Sequence, residues 1–317
     1  MQKKIIILLL LIMPILVSAQ IKGPKRIKTG GFLDPKVKKT KEWVFGFGAC
    51  NFLGELGGAN QIGTNGIKDL EFSMTRPSAQ VGFRYKFKKR WAVKGGIYWQ
   101  LVKGADRLTK EPFRQNRNLS FRSNIFELSG QAEFFFTKQQ VGRRYKIKNA
   151  KGMKNFNLNG YIFLGFGGFF FNPKAQYNDK WIALQPLGTE GQGLLGGTKK
   201  YSRVSFCVPY GVGFKNALND EWTIGLEVGM RKTFTDYIDD VSTVYYDNNI
   251  LLEKRGKMAA ELADPSFFSA PGGDVYGVHQ TGPNQQRGDK KDLDSYMFIN
   301  LTGSYVIPYR SKTRSKF

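Results

Sequence analysis

The sequence predicts an all-β protein that forms a transmembrane antiparallel β-barrel of eight strands, with long outer loops and a basic N-terminal periplasmic arm. Three observations support this fold class. Segments of about ten residues alternate between apolar and polar side chains, as barrel strands with a lipid face and a lumen face do. The chain contains 14% aromatic residues and 37 glycines, a composition that suits pleated surfaces and bends. An export signal precedes these segments.

The N-terminal segment has the features of a cleavable signal peptide. Lys3 and Lys4 precede an apolar run over residues 5–17, and Ser18 and Ala19 supply the small residues of a cleavage site. This run of 13 residues is shorter than the ~20 that a transmembrane helix needs, and no later segment reaches that length. We therefore predict a signal peptide at 1–19, a basic periplasmic arm at 20–42, an outer-membrane barrel at 43–309 and a basic tail at 310–317.

Eight segments carry the alternating pattern. In the clearest one, residues 78–87, Val81 and Phe83 alternate with Gln80 and Arg84, and the basic segment 88–90 follows as a hairpin turn. A soluble β-sandwich shares this composition, but its strands are usually nearer ~5–6 residues. The predicted strands are 43–52, 78–87, 91–101, 124–136, 158–171, 204–214, 222–233 and 296–307.

The strand count also determines which connections face which side. Two further candidates, 181–187 and 241–252, would either give ten strands or extend hairpins above the membrane. An even number of strands places both chain termini in the periplasm. The connections on the periplasmic side are then expected to be short turns, and those on the outer side long loops. The short connections 88–90 and 215–221 fit the periplasmic side. The connection 137–157 is an exception, because it is long and yet predicted to be periplasmic. The predicted outer loops are 54–71, 102–119, 172–200 and 235–294.

The positive charge is concentrated on the predicted periplasmic side. Of the formal net charge of +24, the segments on that side carry about +20, whereas the outer loops sum to about −2. One interpretation is that the charge keeps tails and turns soluble. The other is a docking surface for an acidic periplasmic partner, formed with residues 22–41. Nucleic acid is not expected as a partner in that compartment. The candidate docking residues in the connection 137–157 are Arg143, Arg144, Lys146, Lys148, Lys151 and Lys154.

The sequence offers little for metal binding or catalysis. Asp236, Asp239 and Asp240 lie close together, but the segment lacks the spacing and the bidentate Glu of a calcium loop, so an ordered, hydrogen-bonded strand extension is the preferred interpretation. The single histidine, His279, lies in the Gly/Pro-rich stretch 270–288, and no serine stands in a nucleophile elbow. We predict a non-enzymatic protein without a cofactor.

Two cysteines, Cys50 and Cys207, remain in an exported chain. An even number permits a disulfide in an oxidising compartment. The alternative is that both are small, buried, core-like side chains.

Three segments resemble one known family. They are 56–60 (LGGAN), 73–85 (SMTRPSAQVGFRY) and 234–242 (FTDYIDDVS), and the last contains the most specific element, Asp236, Tyr237, Asp239 and Asp240. These segments are similar to the PorG family of outer-membrane barrels in the type IX secretion system, over about residues 43–248. The resemblance implies an accessory barrel that associates with a periplasmic ring of a lipoprotein, PorK, and its partner PorN. It does not place the contact residues one by one.

The size of the barrel bears on the choice between functions. An interior of eight strands is just wide enough to be filled by side chains, whereas aqueous porins need about 16 to 18 strands. We therefore expect the inward-facing charges to pair inside the barrel, which favours a scaffold that anchors the ring in the outer-membrane lipid. The alternative is a surface adhesin-like or small-pore barrel. The predicted inward charges are Arg84, Lys86, Lys94, Glu127, Glu133, Glu227 and Arg231.

Overall fold

The strands form one closed antiparallel barrel. The computed structural model describes residues 39–54, 56, 72–108, 112–136, 158–219, 221–266 and 281–308. Each of the eight barrel strands pairs with its two neighbours, and the first strand closes the barrel by pairing with the last. The fold class predicted from alternation is therefore confirmed. The strands are β1 Thr40–Leu53, β2 Arg76–Lys86, β3 Trp91–Ala105, β4 Ser120–Phe135, β5 Leu158–Tyr177, β7 Val204–Ala217, β8 Trp222–Thr233 and β9 Ser295–Ile307, while β6, Lys180–Ala183, pairs only with β5.

The two ends of the barrel differ. We call the end where β1 begins and β9 ends the terminus end, and the opposite end the loop end. The turns 87–90 and 218–221 lie at the terminus end. Of the two further strand candidates, 181–187 contributes to β6, a short extension paired with β5 at the loop end. The other, 241–252, includes no strand and overlaps the helix Asn248–Arg255. The membrane barrel accordingly has eight strands.

Several strands are longer at the loop end than the alternation predicted. β3 continues to Ala105, β4 begins at Ser120 and β5 continues to Tyr177. Ladder pairing persists there, but the outward residues become polar, so the apolar signal of a lipid-facing strand stops earlier than the strand itself. The barrel wall thus rises beyond its apolar belt.

The outer face of the barrel is apolar. Outward side chains such as Phe47, at 66% exposure, and Leu128, at 68%, stand in contact with the surroundings and not with the protein. Aromatic residues near the terminus end, including Trp43, Trp91 and Trp222, edge this belt. An apolar band with aromatic borders around a closed barrel is the lipid-facing surface of a transmembrane barrel.

The lumen is filled by paired charges. Because eight strands leave room only for side chains, an unpaired charge there would be buried without water. The closest pairs are Arg84 with Glu133 at 2.6 Å and with Glu42 at 3.1 Å, Lys94 with Glu227 at 2.7 Å, Arg231 with Glu127 at 2.9 Å, and Lys215 with Glu42 at 3.0 Å.

The predicted pairing inside the barrel is confirmed for Arg84, Lys94 and Arg231, each of which binds a predicted carboxylate. Lys86, also predicted to face inward, lies in the lumen with its ammonium 4.5 Å from the centroid of the Phe135 ring. Two charges that were not predicted, Lys215 and Glu42, join this interior. Lys215 does not belong to a periplasmic turn, and that prediction is wrong because β7 continues to Ala217. Glu42, just before the predicted first strand, points inward as well.

An apolar cluster closes the lumen toward the loop end. It includes Phe52, Phe121, Phe171 and Phe298 from the barrel wall, and two residues of the loop after β8, Ile238 and Val241. Cys50 and Cys207 belong to this cluster and are free thiols, so the structure agrees with the alternative of small buried side chains.

Glycines in the strands allow close packing of neighbouring backbones. A Cβ on Gly165 would lie 2.2 Å from the carbonyl oxygen of Gly130 on β4.

The short helices are α1 Pro112–Arg117, α2 Asn248–Arg255 and α3 Lys257–Ala263. Over the described residues, none of the helices has the length and apolarity required to cross a bilayer.

The lumen pairs make a test of stability possible. Arg231→Met should destabilise the barrel by about 3–5 kcal/mol, because it leaves the Glu127 carboxylate buried without its guanidinium partner. Arg231→Met combined with Glu127→Met should cost less than the single change, since no buried charge is then left over. Denaturant unfolding in micelles measures both, and a double variant as unstable as the single one would contradict this account.

Candidate functional site

The loop end is covered by a folded cap. We define the cap as the described residues 106–108 and 112–119, 178–203, 234–266 and 281–294. Its parts bind one another across long sequence distances: Arg117 Nη1 donates to the Arg287 carbonyl at 2.6 Å, and Asn118 Nδ2 donates to the Pro265 carbonyl at 3.2 Å. The described parts of these loops thus form one packed layer over the apolar cluster.

A buried ion cluster lies at the centre of the cap. Arg287 Nη1 donates to Glu190 Oε1 at 3.0 Å and to the Asp240 carbonyl at 2.5 Å. All three side chains are almost fully buried. One guanidinium therefore joins the loop between β6 and β7 to both halves of the loop between β8 and β9.

Glu190 also binds the backbone of the loop between β8 and β9. Its Oε1 accepts the N–H groups of Ser242 at 2.9 Å and Thr243 at 3.2 Å, and its Oε2 accepts the Thr243 hydroxyl at 2.7 Å. A carboxylate that accepts several donors in this way satisfies groups that would otherwise be buried without partners. The turn Gly188 to Gly191, with positive φ at both glycines, carries Glu190 into this position.

Asp240 is the second acidic residue of the cluster. Its carboxylate accepts the hydroxyls of Thr189 and Tyr201, each at 2.5 Å. The backbone has φ of 69° at Asp240, a left-handed conformation that Asp tolerates better than most residues. Burial raises the pKa of Asp240 to about 6, against the opposing effect of Arg287. Burial and the Asp240 carboxylate together raise the pKa of Tyr201 well above its usual range.

The residues of the 236–240 motif pack this loop against the barrel. Tyr237 stacks on Tyr201 with ring centroids 4.4 Å apart, and Tyr201 stacks on Phe171 of β5. Asp239 Oδ1 accepts the Val241 N–H at 3.0 Å, and Asp236 is also buried. The motif therefore combines an apolar contact with the lumen and polar contacts with the cap.

The charge cluster was found only in part from the sequence. The motif indicated Asp240 and Tyr237, but Glu190, Arg287, Thr189 and Tyr201 were missed. Their contacts join distant loops, and a single sequence gives no signal for such pairs apart from the glycines around Glu190. Within the described ranges, no group of three or more His, Cys, Asp or Glu is placed to hold a metal ion.

The predicted docking residues lie elsewhere. Arg143, Arg144, Lys146, Lys148, Lys151 and Lys154, the arm before residue 39 and His279 all lie outside the described residues.

A cavity lies between the cap and the barrel wall. Its volume is about 260 Å³, and its lining is mixed, with Lys103, Arg107 and Arg287 beside apolar residues. Trp181 of β6 forms part of the wall, and Asp239 reaches it from the motif.

These features define a transmembrane β-barrel of the outer-membrane type with a filled lumen and a folded cap. Residues 39–252 match the model of a family described as a domain of unknown function, DUF6089, and the chain belongs to that family. The search of curated proteins returns no match.

Solved structures similar to this chain include other barrels. The attachment invasion locus protein Ail of Yersinia pestis, in complex with the heparin analogue sucrose octasulfate, matches at 8% identity and a TM-score of 0.35, over 86% of this chain and 100% of that one. The N-terminal β-barrel domain of Pseudomonas aeruginosa OprF matches at 8% and 0.33, over 84% and 97%. The outer membrane protein AlkL matches at 11% and 0.31, over 93% and 100%. At these scores the likeness carries no argument about function.

The ion cluster predicts a strong effect of one substitution. Arg287→Met should weaken the cap by about 3–5 kcal/mol, because Glu190 and Asp240 then stay buried without their guanidinium. Hydrogen exchange of the Ser242 and Thr243 amides measures this loss. Lys290→Met, at an exposed position in the same loop, serves as the control and should leave protection unchanged. Equal protection in both variants would show that the cluster does not hold the cap.

The raised pKa of Asp240 predicts a pH dependence. In the unfolded loop this carboxyl has its usual pKa of ~3.9, whereas in the cap its pKa is about 6. As pH rises from about 4 to about 6, the unfolded loop loses its proton first, so this group lowers cap stability by up to about 3 kcal/mol and has no further effect above that range. Amide protection factors of Ser242 and Thr243 across this window measure the slope. Asp240→Asn should abolish the slope, and a slope that persists in this variant would assign it to another group.

Proposed function

We propose that this chain is a non-enzymatic accessory component of the type IX protein secretion machinery. In this role it anchors or stabilises a periplasmic ring, made of PorK-like and PorN-like subunits, at the outer membrane. The secretion system and the ring enter through the resemblance of segments 56–60, 73–85 and 234–242 to the PorG family.

The single observation that carries a scaffold role is the filled lumen. Arg84, Lys94 and Arg231 are each paired with a carboxylate across the interior, and the apolar cluster lies above them. A cargo protein has no path through such a barrel, because its interior is already occupied by side chains. A barrel that does not conduct can still fix another assembly to the membrane.

The working face of the scaffold is the terminus end. In an outer-membrane barrel the end with the chain termini faces the periplasm. The basic turn 88–90 is on that side in the described part. In the sequence, the basic segment 22–41 precedes β1, and the basic segment 137–157 lies between β4 and β5. Clustered cations favour an acidic partner surface and speed its encounter.

Charge reversal tests this proposal. Arg143→Glu, Arg144→Glu, Lys146→Glu and Lys148→Glu combined should reduce co-purification of the ring subunits on the order of 10-fold or more, because attraction becomes repulsion. The matched control reverses four exposed lysines of the cap: Lys199→Glu, Lys200→Glu, Lys290→Glu and Lys291→Glu. Full recovery of the ring with the first variant would remove the docking surface from the proposal.

A surface adhesin-like role is the second candidate. The ordered cap favours it, since a rigid outer layer held by Arg287 and Glu190 presents fixed side chains to the exterior. Normal secretion after deletion of the gene, together with loss of surface attachment, would support this candidate over the scaffold. A steady conductance in planar bilayers would instead support a small pore.

A further inference from the structure

The outward side chains of three adjacent strands form ordered rows at the loop end. Strand pairing aligns one row of aromatic residues, Trp99, Phe126 and Phe170, and the next row of Leu101, Asn124 and Asn172. The row above these consists only of cations: Lys103, Arg122 and Lys174. Four residues along β3 thus separate the aromatic row from the cation row, a distance of roughly 13 Å along the strand.

The cation row is unfavourable for the barrel by itself. Like charges directly opposite each other on neighbouring strands, ~4.8 Å apart, destabilise a sheet. Lys103 is additionally close enough to Arg76 and Arg107 to be repelled by both. Protein stability alone therefore gives no reason for three cations in this register.

Among the described residues, no carboxylate lies within ion-pair distance of the row, although Asp239 lines the same cavity as Lys103. Asp106, the acid nearest to it in the sequence, is bound by Arg114 and Arg117. Lys232, at the loop end of β8, is in contrast used internally, because its Nζ donates to the Leu293 carbonyl at 2.7 Å. Within the described ranges, Lys103, Arg122 and Lys174 make no ion pair.

The central cation of the row, Arg122, is held in place by an aromatic ring. The Arg122 guanidinium carbon lies 3.8 Å from the centroid of the Trp181 ring, which fixes the plane of its donors. In the row below, Trp99 Nε1 donates to Asn124 Oδ1 at 3.3 Å. The cavity lined by Lys103, Arg107 and Trp181 lies beside the row.

We infer that this surface, which we call the cation row, binds the phosphate groups of lipid in the outer leaflet. Aromatic side chains at the border of the apolar belt mark the level of lipid headgroups. The row stands on the outer side of that border, beyond the polar Asn124 and Asn172. Phe126 and Leu128, at 52% and 68% exposure, offer the adjoining apolar surface for acyl chains. Arg binds phosphate through paired hydrogen bonds and Lys through its charge. Continuity with the apolar belt selects a lipid over a soluble anion.

The test uses the full-length protein in detergent and native mass spectrometry. The probes are bisphosphorylated lipid A, dephosphorylated lipid A, phosphatidylglycerol and inorganic phosphate. Lys103→Gln, Arg122→Gln and Lys174→Gln combined should raise the Kd for lipid A on the order of 100-fold. The matched control, with Lys199→Gln, Lys200→Gln and Lys290→Gln, should bind like the unaltered protein, as should Lys103→Arg with Lys174→Arg.

Each outcome decides for or against the inference. Loss of affinity in the triple variant, together with weak binding of dephosphorylated lipid A by the unaltered protein, supports it. Equal affinity in the triple variant, or equal binding of the dephosphorylated lipid, would overturn it. If inorganic phosphate binds as tightly as lipid A, the ligand of the row is a soluble anion and the inference is wrong. If the protein prefers phosphatidylglycerol to lipid A, the phosphate does not come from the outer-leaflet lipid, and the inference is also wrong. If the triple variant does not fold, Lys103→Gln and Lys174→Gln alone should each weaken binding about 5-fold.

Discussion

The need to pair every charge in a narrow, dry interior determines much of this structure. An eight-stranded barrel has no room for a water column, so an inward-facing cation needs a carboxylate or an aromatic ring from another strand. Arg84 meets Glu133 and Glu42, and Lys94 meets Glu227 across the lumen. These pairs tie strands that are not neighbours in the sheet. They also block the interior, and for that reason the function must be sought on the two ends and on the outer wall.

The sequence was informative where a strand has two chemically different faces. Alternation predicted all eight strands and the inward position of Arg84 and Glu227, because lipid on one side and a packed lumen on the other impose a period of two. Alternation did not predict the strand ends that lie beyond the lipid-facing belt, where the two faces of a strand no longer differ in polarity. β3 to β5 continue past the apolar belt with outward Asn124 and Arg122, and Lys215 was assigned to a turn because charged residues near a strand end are typical of turns.

The candidate site was predictable only through local motifs. The segment from Asp236 to Val241 stood out, and it does seat Ile238 in the apolar cluster and Asp240 in the ion cluster. Its partners, Glu190 and Arg287, come from loops far away in the chain, and no period or spacing connects such positions. The cap therefore illustrates a general limit: strand patterns encode the wall of a barrel, whereas the contacts among its loops are encoded only by complementary chemistry.

Closure of the barrel by its first and last strands has a consequence for biogenesis. Trp43 on β1 faces Tyr305 on β9, so the seam consists of the two most distant parts of the sheet. Until β9 is present, β1 and β8 each expose a row of unpaired backbone donors and acceptors, which hydrocarbon cannot satisfy. Partly translated or clipped chains therefore cannot reside stably in the bilayer. The last strand, β9, is therefore required for complete hydrogen bonding of the wall, because it pairs with both β1 and β8.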